Sequence, residues 1–124
     1  MGSDDAGGTP EQLFDGHPDG LALFRAVRDI IATIGQVDVR VTTSQIAFRR
    51  QTGFAYVWRP AQYVRSDVPA VLSIALRREI PSHRFKTVAH PSPGVWMHHL
   101  ELRSADQLDE AVTGWLAEAY VNAG

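Results

Sequence analysis

Three sets of side chains in this sequence carry the chemistry to hold or transform a ligand: five histidines, eleven arginines and a single lysine. Histidine can ligate a metal or move a proton near neutral pH. The planar guanidinium of arginine pairs bidentately with phosphate or carboxylate. A desolvated lysine can form a Schiff base. The histidines are His17, His83, His90, His98 and His99. His98 and His99 are adjacent in a predicted strand, where neighbours point to opposite faces, so the two cannot share one ion. His83, His90 and His99 flank a predicted edge strand and are the set that an enzyme or a metal binder would use in a cleft there. Against that reading, the chain holds no HExxH motif, no histidines at helical i,i+4 spacing and no cysteine, so no metal or cofactor is assigned. Lys86 lacks a marked apolar pocket. No GxSxG, Walker-type or GxGxxG motif is present, and Ser44, Ser73, Ser82 and Ser92 read as ordinary strand or loop serines. No catalytic residue follows.

The arginines are sorted along the chain. Residues 40–103 hold ten basic and three acidic side chains, residues 1–39 hold seven acids and two arginines, and residues 104–124 hold four acids and no base. The net charge of −2 thus hides a basic middle between acidic ends, an asymmetry that bears on partners rather than on fold. Totals set the frame. A chain of 124 residues that is 44% hydrophobic can form one domain with its own core. Absence of cysteine fits a reducing compartment. No apolar run reaches the ~18 residues of a membrane span, and the start, MGSDDAGGTP, is acidic where a signal peptide would be basic. The expectation is a cytoplasmic protein with a mobile acidic tail over residues 1–8 and a single domain over 9–124.

Positioning these side chains requires helices and a sheet. Thr9, Pro10 and Gln12 have the pattern of a capping box with proline at the first helical position. A longer helix is predicted from Pro18 to Gly35, with Leu23, Phe24, Val27, Ile30, Ile31 and Ile34 as its apolar stripe. From Val37 the period falls to 2. Val37, Val39 and Val41 mark a strand, and residues 45–50 and 54–59 form a hairpin across Gln51-Thr52-Gly53. That loop predicts Phe48 opposite Tyr56 and Ile46 opposite Trp58 on the core face, with Ala47, Arg49, Ala55, Val57 and Arg59 on the other. Residues 71–77 and 95–102 are strands, 82–88 a short edge strand, and 90–94 a turn. His98 shares its face with Trp96, Leu100 and Leu102 and reads as a core histidine. Ser104 caps a final helix through a second capping box. The expected fold is α+β: a two-layer sandwich in which an antiparallel sheet of four to five strands carries the N- and C-terminal helices on one face.

The other face then bears small apolar residues with Arg49, Arg59 and Arg77, edged by Arg84, Lys86 and His99. These six residues are the predicted binding set, for a protein partner or a small anionic ligand. Small residues with arginine also suit a homodimer contact, unless residues 60–70, with Tyr63 and Val64, fold across the face. Nucleic acid is disfavoured, because the predicted register separates rings from charges and the net charge is negative.

The runs SQIAFRR, FAYVWRP, LSIAL, SHRFKTV and MHHLELRSADQLDEAVTGWLAEAY, in that order over about residues 40–121, resemble a bacterial family of small α+β domains of unknown function, found alone or attached to predicted transport proteins. The resemblance implies the same fold and no activity. A more distant likeness, resting on element order, is to frataxin-like iron chaperones. It lacks their acidic ridge on the first long helix.

Overall fold

The computed structural model describes residues 8–62 and 64–124. Most of the predicted acidic tail, residues 1–7, and Tyr63 lie outside the described residues.

A single turn, α1 (Pro10–Leu13), opens the chain. Thr9 accepts from Gln12 N, and the Gln12 side chain accepts from Thr9 N, so the capping box forms as expected. The long helix α2 (Pro18–Ile34) follows, with Pro18 at its start and Gly35 at its end. Six strands then follow: β1 (Asp38–Val41), β2 (Ile46–Arg49), β3 (Gly53–Trp58), β4 (Ala70–Leu76), β5 (Thr87–Ser92) and β6 (Val95–Leu102). They form one antiparallel sheet in the order β1-β2-β3-β4-β6-β5. Helix α3 (Glu110–Asn122) closes the fold.

The α+β class holds, and the sheet has six strands where four to five were expected. The edge strand β5 begins at Thr87 and not at residue 82 as predicted. His90, Pro91 and Ser92 continue β5, and the reversal tightens to Pro93-Gly94. Ser104 also caps something shorter than expected. Its capping box closes a 3-10 turn at Ala105–Gln107, and Asp109 caps α3 by accepting from Val112 N.

The hairpin register differs from the prediction by one residue. Phe48 pairs with Ala55, Ala47 with Tyr56, and Ile46 with Val57, because an irregularity between Phe48 and Arg49 absorbs a residue at the turn. A one-residue slip moves every side chain to the other face. Ile46, Phe48, Ala55 and Val57 therefore join the core, together with Leu72, Ile74, Leu100 and Leu102 of the sheet, Leu23, Phe24, Val27 and Ile31 of α2, and Val112, Leu116 and Ala119 of α3. Tyr56 and Trp58, predicted to be core residues, alternate with these and face away from the cluster.

His98 is the polar member of this interior, fully buried as expected. Its Nε2 accepts from Ile80 N at 3.0 Å, and its Nδ1 reaches Trp96 O at 3.0 Å and Ile74 O at 3.3 Å. Both ring nitrogens are used, which lets a polar ring sit among apolar neighbours. Phe85 packs on it with ring centres 4.8 Å apart.

The carboxyl end of α3 is satisfied by the sheet. Arg50 donates to Tyr120 O and Arg77 to Asn122 O, while Gln51 N and Thr52 N donate to Ala123 O. The last carbonyls of a helix need outside donors and attract cations, and the β2–β3 turn supplies both. Among the described residues no helix is long and apolar enough to cross a membrane.

Candidate functional site: a cleft at Tyr56, Trp58 and His99

The residues displaced from the core by the register shift build a cleft. Tyr56 on β3, Ser73 on β4 and His99 on β6 are paired across adjacent strands and form one row. Trp58 and Met97 extend the floor on either side, and Ser44, Gln45, Pro60 and Val64 line the walls. The cavity measures about 670 Å³, within the usual range for small-molecule sites.

Two short segments hold the walls. In the β1–β2 connection the Thr42 hydroxyl accepts from Ser44 N and Gln45 N, a local turn that fixes both residues. Gln62, in the 3-10 turn Pro60–Gln62, donates its side-chain amide to Ser44 O at 3.2 Å and ties one wall to the other. Val64 stands 61% exposed at the rim.

One chain of polar contacts crosses the floor. Trp58 Nε1 donates to Ser73 Oγ at 2.9 Å, and Ser73 Oγ lies 2.7 Å from His99 Nδ1. The Trp58 and His99 rings meet edge to face at 6.1 Å. Ser73 is 2% exposed, and its hydroxyl is held between these two partners. Burial, with a smaller contribution from neighbouring His98, holds the His99 imidazole below the ordinary histidine range, which keeps the ring neutral at pH 7.

Of the six residues predicted to bind a ligand, His99 alone lines this cleft. Arg59 donates Nε to Leu13 O, beside α1, and Arg77 reaches the end of α3. Arg84 pairs with Asp109 and Gln107 O at the start of α3 and lies over the Trp115 ring at 5.7 Å. Arg49 lies beside Gly35, Gln36 and Asp38 in a separate polar recess. The Lys86 side chain is exposed, while its backbone N–H donates to His99 O. The arginines do not converge. His83 is exposed, and His90 stacks on Trp96 at 3.9 Å with Nδ1 on Val95 O. Among the described residues no three His, Cys, Asp or Glu side chains are grouped to hold a metal.

Sequence reasoning missed Tyr56, Trp58 and Ser73. The signal for Ser73 was present, since it is the one polar residue in the run AVLSIAL. A serine tolerated at the centre of an apolar strand has a partner to satisfy it.

A family model described as a domain of unknown function, DUF5655, matches residues 11–123. The chain belongs to the DUF5655 family. Comparison with curated proteins and with solved structures gives no match. Membership of DUF5655 agrees with the expectation of an uncharacterised α+β domain and assigns no activity. The cleft is then the feature of this DUF5655 domain from which function must be argued.

Proposed function

We propose that this domain is a non-catalytic binding module that takes a small molecule in the Tyr56–Trp58–His99 cleft. The reading regards the fold as a two-layer sandwich, with helices on one side of the sheet and the ligand on the other. The observation that carries it is the Trp58–Ser73–His99 chain: polar groups fixed in place at the floor of an otherwise apolar cavity. Ligand sites combine an apolar surface with a few oriented polar groups in this way. Chemistry is a weaker reading, because Ser73 is 2% exposed and, among the described residues, no carboxylate hydrogen-bonds His99. An arginine-borne anion site has less support than the cleft, since Arg59, Arg77 and Arg84 are each spent on main chain or on Asp109.

A thermal-shift screen of aromatic fragments tests the proposal. Ligand at 100 times its Kd adds about 2.7 kcal/mol, which raises Tm by about 10 °C for a chain of this length. Hits should disappear in Trp58→Ala while the variant stays folded. Hits that survive that substitution would place binding elsewhere and defeat the proposal.

A further inference from the structure

The proton positions on the polar chain select the ligand. Ser73 Oγ has one hydrogen to give and two lone pairs. Trp58 Nε1 can only donate, so it occupies one lone pair at 2.9 Å. If His99 Nδ1 also donated, the serine hydrogen would need a third partner. Among the described residues Ser73 Oγ bonds only Trp58 and His99, and the residue as a whole is 2% exposed, which leaves those two as the partners for its hydrogen. The serine hydrogen therefore goes to His99 Nδ1, and a neutral His99 carries its own proton on Nε2. This assignment comes from the hydrogen-bond network. No described residue takes up Nε2–H, which is left as a donor at the cleft.

The rest of the lining is uncharged. No Lys, Arg, Asp or Glu is among the described residues around the cavity. An ion entering it would lose water and gain no opposite charge, a costly transfer. Tyr56 and Trp58 add ring surface that favours flat π-faced groups.

We infer that the ligand of this cleft is an uncharged, flat molecule that presents a hydrogen-bond acceptor, of the amide or ketone class, to His99 Nε2. The inference rests on the cleft being the binding site, and the test separates the two. Long-range nitrogen NMR of the full chain should show His99 with a bare Nδ1 and a protonated Nε2; the opposite tautomer overturns the inference. Calorimetric titration with 2-naphthamide, 2-naphthoate and 2-naphthylmethylammonium should show the amide binding at least tenfold tighter than either ion. A carboxylate or ammonium that matches the amide, while shifting Trp58 resonances, overturns the ligand class and leaves the cleft standing. If no probe binds and no cleft resonance moves, both readings fail. His99→Phe should weaken 2-naphthamide about fivefold, the value of one net hydrogen bond, and leave plain naphthalene unaffected. The naphthalene result certifies that the cleft is still formed, so an unchanged amide affinity would overturn the inference.

Discussion

Replacing His98 by phenylalanine should destabilise the protein although it places a more apolar side chain in an apolar site. The imidazole is fully buried, and its Nε2 is the acceptor for Ile80 N, whose residue is itself 8% exposed. Phenylalanine has no acceptor, so that amide loses its partner at a cost of about 1–3 kcal/mol. The six-membered ring must also fit against Phe85, now 4.8 Å from the imidazole centre, and overpacking adds about 1 kcal/mol. A total near 3 kcal/mol should lower Tm by about 12 °C, taking the usual unfolding entropy per residue for 124 residues. His98→Gln sharpens the test. Its amide oxygen can reach the position of Nε2 and keep Ile80 N satisfied, though a flexible chain costs about 1–2 kcal/mol of rotamer freedom. The expected order of stability is wild type, then His98→Gln, then His98→Phe. Urea denaturation gives the order, and hydrogen exchange at Ile80 N should accelerate in the phenylalanine variant only. Hydrophobicity alone puts His98→Phe above wild type and His98→Gln last. A phenylalanine variant as stable as the glutamine one would refute the hydrogen-bond account.

Acid should weaken the fold through His99. Its folded pKa lies below the unfolded value of about 6.5, so the unfolded state binds the proton more readily, and stability is full above that pH and lost as pH falls through the folded value. Urea midpoints between pH 7.5 and 5 should therefore decline, less steeply in His99→Phe. The lowered carboxyls of Glu11, Asp67, Asp109 and Glu118 act on stability only at pH below about 4.5 and leave this window clear. Gly20→Ala, normally favourable in a helix by about 1 kcal/mol, should instead destabilise by about 1–3 kcal/mol, since the new methyl would lie 2.6 Å from the buried Phe14 ring and 2.8 Å from Pro69 O; a rise in Tm would contradict this. Removing both Arg50 and Arg77 should fray the last turn of α3, seen as faster amide exchange over residues 121–123, at a cost of about 0.3–1 kcal/mol for each.

Much of the fold was legible because its signals are local. The capping box at Thr9–Gln12, the apolar stripe of α2 and the alternation of β6 are set by neighbours a few residues apart, and each forms as read. The burial of His98 followed from the company of Leu100 and Leu102. The site was hidden by one residue of register. A loop of Gln51, Thr52 and Gly53 reads as a regular hairpin turn, yet Arg49 pairs with Gly53 and the shift that follows carries Tyr56 and Trp58 out of the core. Such an irregularity is chosen by the packing of Phe48 and Val57 against helices more than 20 residues away, which no local pattern encodes. The arginines misled for a related reason. Their count in the middle of the chain suggested one charged face, whereas Arg50 and Arg77 serve the end of α3, a segment acidic and distant in sequence.

The order of strands bears on how the chain reaches this state during synthesis. β4 is flanked by β3 on one side and β6 on the other, and the core beneath it includes residues from α2 and α3. Until β6 and α3 have been made, Ile46, Phe48, Val57, Leu72 and Ile74 lack part of their final cover. Translation adds about 5–20 residues per second, so the nascent chain carries an unfinished sheet with apolar side chains open to water for several seconds. Such intermediates are where chaperones act and where aggregation begins. Folding of this domain thus waits for α3, the helix whose end the β2–β3 turn caps.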